Sequence, residues 1–187
     1  MENGFVSYLN TMHNASGSNE HAIAENNIGS KDSYSRQLQF ERNITGKIIE
    51  KLLGGMGKVV ILTGHAGDGK TNILQELVRT CTGKELDPLK LEDEFIHESN
   101  RHVHYVKDMS EHEQEKQIQI FKEAVAAVQR NESAILISNT GPLFHVLREM
   151  GMEEERIIAL LDTEGLTEYI EKFGKYQNVP IVVANLA

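Results

Sequence analysis

The residues with the clearest chemical potential lie in one short run, Gly64 to Thr71, which reads GHAGDGKT. The run fits the pattern G-x-x-x-x-G-K-[ST] of a phosphate-binding loop in full. Its glycines let consecutive N–H groups face phosphate oxygens, Lys70 would reach the β- and γ-phosphates, and the Thr71 hydroxyl would hold Mg²⁺. The predicted nucleotide-binding residues are Gly64, His65, Ala66, Gly67, Asp68, Gly69, Lys70, Thr71 and Asn72.

Asp68 is the unusual member of this run, because a carboxylate repels the phosphates that such a loop binds. We expect its side chain to point away from the phosphates or to pair with a cation. His65 is expected on the solvent side of the loop, as a spacer rather than as a catalytic group.

A phosphate-binding loop needs a strand before it and a helix after it, since the helix then directs its positive end at the anion. The segment KVVILTG, residues 58–64, is a β-branched run typical of a strand that is covered on both faces. Apolar residues recur at helical spacing over 71–80. Both flanks therefore favour the phosphate-binding interpretation.

The other segments are predicted from the same periodicities. Helices are predicted over 37–53, 110–131, 142–151, 152–162 and 166–178, and strands over 101–110, 133–141 and 179–187. Residues 81–100 are interpreted as a polar connection. Ser110 is expected to cap the helix that follows it, with Glu113 completing a capping box.

Apolar strands that alternate with helices indicate an α/β protein with a parallel sheet. We predict a three-layer sandwich with a mainly parallel sheet over residues 37–187, preceded by an irregular N-terminal arm over 1–36 and a first helix. The chain ends on a predicted strand with no helical lid beyond it, so we expect the domain to be truncated at its C-terminus.

Two short segments carry a resemblance to known families. VVILTGHAGDGKT, residues 59–71, resembles the first strand and Walker A loop of P-loop ATPases of the AAA+ and STAND-like group. Together with LISNTGPL, residues 136–143, the loop also resembles ATPases of bacterial DNA-defence systems, including the phosphorothioation-dependent restriction ATPase. The resemblance implies a P-loop NTPase core with the Walker A strand at its centre, and ATP with Mg²⁺ as cofactors.

Hydrolysis also requires an acidic residue at the end of a second strand, which holds Mg²⁺ through water. Asp108 ends the predicted strand directly after the first helix of the core, which is not the usual Walker B strand in the resembling group, and a loop or cap role stays open. Ser138 and Asn139 end the strand in the Walker B place without supplying a carboxylate. Asn139 could still bind a magnesium-bound water or the γ-phosphate, as a sensor asparagine does in that group, or simply form a turn.

Two weaker candidates complete the set. Asp162 would serve only if its segment were a strand, and Asn185 is a second sensor-like residue, although a turn role is favoured for it. We retain Lys70, Asn139 and Asp108 as catalytic candidates and Thr71 as the metal ligand. No arginine finger can be assigned to Arg148 or Arg156.

Composition limits the partners. The net charge is −9 and the basic residues are scattered, which argues against a nucleic-acid grip by this chain except through a larger assembly. Cys81 is the single cysteine, so an intrachain disulfide is excluded. The N-terminal residues lack the pattern of a secretory signal, and no apolar run reaches the roughly 20 residues of a membrane span. We expect a cytoplasmic protein without membrane contact.

The predicted function is Mg²⁺-dependent ATP binding and hydrolysis, with weak or partner-dependent turnover. It would drive a conformational change, self-assembly or assembly with protein partners in anti-phage DNA restriction. One alternative is a nucleotide-gated scaffold without hydrolysis, and another is a small-molecule kinase. The absence of an N/T-K-x-D-like guanine reader favours ATP over GTP.

Overall fold

The computed structural model describes residues 43–87, 89–173 and 176–187. The predicted arm, 1–36, and the predicted start of the first helix, 37–42, lie outside these ranges. In chain order the elements are α1 (Asn43–Leu53), β1 (Val59–Thr63), α2 (Lys70–Thr82), β2 (Glu92–Ile96), β3 (His102–Val106), a 3-10 turn (Met109–Glu111), α3 (Gln114–Gln129), β4 (Ser133–Ile137), α4 (Thr140–Glu149), α5 (Glu154–Leu161), β5 (Gly165–Phe173) and β6 (Tyr176–Asn185).

The six strands form one mixed sheet in the order β2-β3-β4-β1-β6-β5. The four inner strands, β3, β4, β1 and β6, run parallel to one another, whereas β2 and β5 pair antiparallel to their neighbours. The inner strands therefore all end at one side of the sheet, here called the carboxyl-terminal edge, and all begin at the opposite amino-terminal edge. The strand before the glycine-rich loop, β1, lies between β4 and β6.

Helices cover both faces of the sheet, which makes the fold compatible with a three-layer α/β sandwich. On one face α3, α4 and α5 pack on alternate strand residues such as Ile61 and Leu136, with Phe121 fully buried among them. On the other face α1 and α2 pack on Val60, Leu62 and their neighbours. Every residue of β1 and of β4 is buried. Each large side chain buried in this way contributes about 1.5–3 kcal/mol, so these two strands anchor the fold.

The α/β prediction with a mainly parallel sheet is confirmed, but the helix predicted over 166–178 is wrong. Residues 165–173 form β5, which pairs antiparallel with β6 from Gly165 opposite Asn185 onwards. Leu166, Tyr169 and Ile170 have helical spacing in the sequence, so the local pattern favoured a helix. The hydrogen bonds to β6 and the packing of Leu166 and Tyr169 on opposite sides of the sheet prevail over that pattern.

Two further details differ from the sequence prediction. The polar connection contains β2, an edge strand whose acidic residues alternate between exposed and half-buried positions against β3. Ser110 does not cap α3, because that helix begins at Gln114 after Glu113. Asp108 is the capping residue here, and it caps the 3-10 turn instead.

Among the residues that the structure describes, no helix is both long enough and apolar enough to cross a bilayer.

Candidate functional site

The glycine-rich loop between β1 and α2 has a backbone that its glycines alone permit. Gly64, Gly67 and Gly69 have φ values of 143°, 90° and 77°. Residues with a Cβ rarely adopt such positive φ angles. A Cβ on Gly64 would also lie 2.6 Å from Oδ2 of Asp68. The glycine spacing that marked this run in the sequence is therefore needed by its conformation.

Helix α2 begins with free hydrogen-bond donors. Its N-cap residue, Gly69, supplies no side-chain cap, and the first backbone bond of the helix runs from the Ile73 N–H to the Gly69 carbonyl at 3.1 Å. The N–H groups of Lys70, Thr71 and Asn72 precede that bond and have no partner within the helix. Together with the positive end of the helix dipole they form a local environment that favours an anion.

Lys70 lies at the centre of this loop with only 7% of its surface exposed. Its Nζ donates to the carbonyl oxygens of His65 at 2.6 Å and Gly64 at 3.3 Å. Burial lowers the pKa of Lys70, while the nearby carboxylates of Asp68 and Asp108 act in the opposite direction. The ammonium is thus largely removed from water, and its hydrogen bonds go to neutral carbonyl groups.

The remaining loop residues differ in exposure. His65, Ala66 and Gly67 are exposed at the crest of the loop, and Asn72 is exposed on the first turn of α2. Thr71 is half-buried beside Lys70. His65 thus lies on the solvent side, as predicted from the sequence.

Asp68 points back into the loop. Its Oδ2 accepts a hydrogen bond from the His65 N–H at 2.5 Å, and the same oxygen lies 3.9 Å from Nδ1 of the His65 ring. From the sequence, this carboxylate is expected to point away from the phosphates or to pair with a cation. In the structure it accepts a hydrogen bond from the backbone N–H of His65.

Asp108 follows β3 at the carboxyl-terminal edge. The sequence prediction counted this strand as the second of the core, which is wrong, because β2 precedes it. In the sheet, β3 is separated from β1 by β4. The Asp108 carboxylate is close enough to Lys70 to raise its pKa, and its Oδ1 accepts the Ser110 N–H at 2.7 Å.

Asn139 follows β4, the strand directly beside β1, which is the fourth strand of the chain and not the third as predicted. Its backbone N–H donates to Oγ of Ser110 at 2.9 Å, and the buried Ser138 hydroxyl donates to its carbonyl at 3.1 Å. Its side-chain amide makes no capping bond to α4. Ser110 therefore joins Asp108 and Asn139 across two strand ends.

This bridging role of Ser110 was missed in the sequence. The signal that could have revealed it is the spacing Asp108-x-Ser110, since an aspartate often binds the backbone two residues further on in a turn.

The other candidates do not join this group. Asp162 is an exposed residue at the C-terminal end of α5, which is a helix as predicted. The Asn185 side chain donates to the Leu161 carbonyl and accepts from the Ala187 N–H, so it ties β6 to α5. Arg148 is exposed on α4, and Arg156 contacts Tyr169 and Glu153.

In the part of the chain that the structure describes, no group of three or more histidine, cysteine, aspartate or glutamate residues could hold a metal ion. His104 instead lies between two carboxylates, with Glu94 at 3.1 Å and Glu132 at 2.8 Å.

Comparison with known proteins adds no further assignment. No protein-family model matches the chain, and no curated protein matches its sequence. The chemistry of the carboxyl-terminal edge therefore rests on the contacts described above.

Proposed function

We propose that the chain is an ATP-binding domain of the P-loop NTPase type, with its nucleotide site at the carboxyl-terminal edge of the sheet. The observation that carries the proposal is the buried ammonium of Lys70, held by loop carbonyls at the start of an uncapped helix. A buried charge is unfavourable unless it is paired. A phosphate group would supply the negative charge and would accept the free N–H groups of the first turn.

The residues at this edge fit a triphosphate with Mg²⁺. In such sites Mg²⁺ keeps several waters, takes phosphate oxygens as ligands and needs only one or two protein groups. The half-buried Thr71 hydroxyl would be the direct ligand, and Asp108 would act through a bound water. A dedicated cluster of acidic ligands is therefore not required.

Hydrolysis would use the same residues in distinct roles. Bound Mg²⁺ would neutralise charge on the phosphate oxygens. Lys70 would leave the loop carbonyls to bind the β- and γ-phosphates, and the Asn139 amide would orient the attacking water. Asp108 would accept a hydrogen bond from a water molecule through the oxygen that does not bind Ser110.

A nucleotide-gated scaffold that binds without hydrolysis is the second candidate. Two observations favour it: Asp108 already caps a turn, and β4 is followed by Ser138 and Asn139 rather than by a carboxylate. Neither a hydroxyl nor an amide acts as a general base at neutral pH. Turnover would then be weak or would depend on a partner.

Titration calorimetry of ATP with Mg²⁺ into the purified chain tests the binding proposal. Lys70→Ala should weaken affinity by about 100-fold or more, because it removes a buried charge-assisted contact. Lys84→Ala is the matched control, since Lys84 is an exposed lysine just beyond the other end of α2. Equal affinities for Lys70→Ala and the wild-type chain would reject the proposal.

Phosphate release separates the two candidates. Steady release that requires Mg²⁺ and is lost in Lys70→Ala supports the ATPase. Tight ATP binding without release, both alone and with added partners, supports the scaffold.

The resemblance of the loop and of residues 136–143 extends the proposal to a cytoplasmic role in anti-phage DNA restriction. Nucleotide binding would drive conformational change or assembly with protein partners, and DNA would be reached only through that assembly. Phage plating on cells that carry the gene and its genomic neighbours tests this role. Lys70→Ala should abolish any protection, and protection equal to wild type would argue against it.

A further inference from the structure

Asp68 makes a contact that the phosphate-binding pattern does not require. Its Oδ2 accepts the His65 N–H at 2.5 Å and lies 2.6 Å from where a Cβ on residue 64 would be. The Asp68 N–H in turn donates to the His65 carbonyl at 3.3 Å. The loop is thus closed on itself between residues 65 and 68, by one side-chain contact and one backbone contact.

The carbonyl engaged by this closure is also a partner of the lysine. The His65 carbonyl accepts from both the Asp68 N–H and Nζ of Lys70, the latter at 2.6 Å. Asp68 accepts the His65 N–H, which shares a peptide group with the Gly64 carbonyl, and Lys70 donates to both the Gly64 and the His65 carbonyls. The carboxylate and the ammonium therefore hold the same two residues of the loop from two sides.

We propose that Asp68 is a positioning residue of the nucleotide site, whose carboxylate holds the His65 peptide so that the loop is arranged for phosphate before phosphate arrives. This inference rests on the proposed function. Asp68 itself does not contact the phosphate, because its oxygen is committed to the inner side of the loop. The acid that seemed out of place in an anion-binding loop thereby acts as an internal hydrogen-bond acceptor for it.

The Asp68 carboxylate also acts on Lys70 electrostatically, although the hydrogen bonds of Nζ go to carbonyl oxygens. The Asp68 carboxylate raises the pKa of Lys70 against the effect of burial, so it helps to keep the amine protonated. A protonated amine is the form that binds phosphate. The geometry and the charge therefore favour the same bound state.

The test compares Asp68→Ala with Asp68→Asn by calorimetry with ATP and Mg²⁺. Alanine removes the acceptor, and we expect affinity to fall by about tenfold, as for the loss of a hydrogen bond to a charged group. Asparagine keeps an acceptor oxygen of the same reach but lacks the charge that acts on Lys70, so we expect a smaller loss, of about threefold. Glu98→Ala, an exposed carboxylate in the loop between β2 and β3 at the amino-terminal edge, is the matched control.

Amide hydrogen exchange gives a second readout that does not use nucleotide. The His65 amide should exchange several-fold faster in Asp68→Ala than in Asp68→Asn or wild type, with the β1 amides unchanged. Equal affinity losses in both variants, wild-type affinity in Asp68→Ala, or unchanged His65 exchange would each overturn the inference. Failure of the wild-type chain to bind ATP would overturn the proposed function as well, which distinguishes the two.

Discussion

Polar side chains gather at both edges of the central sheet, but they are partnered differently. At the amino-terminal edge, Arg101 donates to the Asn131 carbonyl at 2.5 Å, to the Asn131 side chain at 2.9 Å and to the Gly55 carbonyl. Oδ1 of the Asn131 side chain also accepts the Gly57 N–H at 3.1 Å, and the Ser133 hydroxyl donates to the Leu52 carbonyl at 2.8 Å. These contacts join three loops to one another.

At the carboxyl-terminal edge, the comparable groups have fewer partners among the described residues. Lys70 is buried on neutral carbonyls, the first N–H groups of α2 lack a side-chain cap, and the Asn139 amide does not cap α4. Composition alone therefore does not make a polar cluster a binding site. A cluster whose members bond to one another stabilises the fold, whereas a buried ammonium held by carbonyls beside uncapped N–H groups is suited to an anionic ligand.

The largest effect is expected for Gly57→Ala at the amino-terminal edge. A Cβ on Gly57 would lie 1.9 Å from the Glu132 carbonyl oxygen, so the backbone must move and we expect a loss of about 3 kcal/mol in unfolding free energy. Gly46→Ala, on the exposed face of α1 with nothing within 4 Å, should instead stabilise slightly. Urea unfolding measures both, and a neutral Gly57→Ala would show that this edge is not closely packed.

At the carboxyl-terminal edge, Asp108→Asn separates the charge of Asp108 from its capping hydrogen bond. Asparagine keeps the oxygen that accepts the Ser110 N–H but loses the charge, so stability should change little. Mg²⁺-dependent phosphate release should fall by about 100-fold, equivalent to about 2.7 kcal/mol of barrier. Glu98→Gln, an exposed glutamate in the loop between β2 and β3, serves as the control carboxylate. A large drop in stability with unchanged phosphate release would make Asp108 a cap and nothing more.

Arg101→Ala tests whether the amino-terminal network is purely structural. It removes donors to two loops, and we expect a loss of about 1–2 kcal/mol in stability with ATP affinity per folded molecule unchanged. Arg79→Ala, an exposed arginine on α2, should be close to neutral. Circular dichroism melting measures the stability of both variants, and calorimetry measures their ATP affinity. A parallel loss of ATP affinity in Arg101→Ala would show that the two edges are coupled.

Glu132→Gln is expected to have the smallest effect. Hydrogen bonds from Arg130, and then from His104, lower the pKa of Glu132 from 4.5 to about 2. As the pH falls, Glu132 is therefore protonated in the unfolded chain before it is protonated in the folded one. Its contribution to the free energy of unfolding is present above pH 4.5 and is lost as the pH falls towards 2. Because the Arg130–Glu132 ion pair is partly exposed, it contributes about 1 kcal/mol or less to the free energy of unfolding.

Urea unfolding at pH 7 and pH 3 measures that contribution. Glu132→Gln should lose stability at pH 7 and show a smaller drop between the two values than wild type does. Glu98→Gln, an exposed glutamate in the neighbouring loop, should follow wild type. A Glu132→Gln curve parallel to that of wild type would show that the ion pair contributes no pH-dependent stability.

Local signals predicted the elements around the loop correctly, and they failed where pairing between distant segments decided the structure. The β-branched run 59–63 and the helix after Lys70 follow from composition and periodicity within a few residues. EDEFI, residues 92–96, is too acidic to be recognised as a strand, yet an edge position beside β3 leaves its charges in water. β5 has helical spacing, and only its pairing with β6 makes it a strand.

The sequence by itself determined the loop, because the glycines, Lys70 and Thr71 are neighbours along the chain and their conformational demands are local. Only the tertiary structure decided which distant groups approach that loop. Asp108 and Asn139 lie near it because β3, β4 and β1 are ordered side by side with their ends at one edge. Asn185 pairs with Thr63 just before the loop, but its side chain bonds to Leu161 and Ala187. Strand order depends on hydrogen bonds and packing between segments far apart in the chain, and no local pattern encodes it.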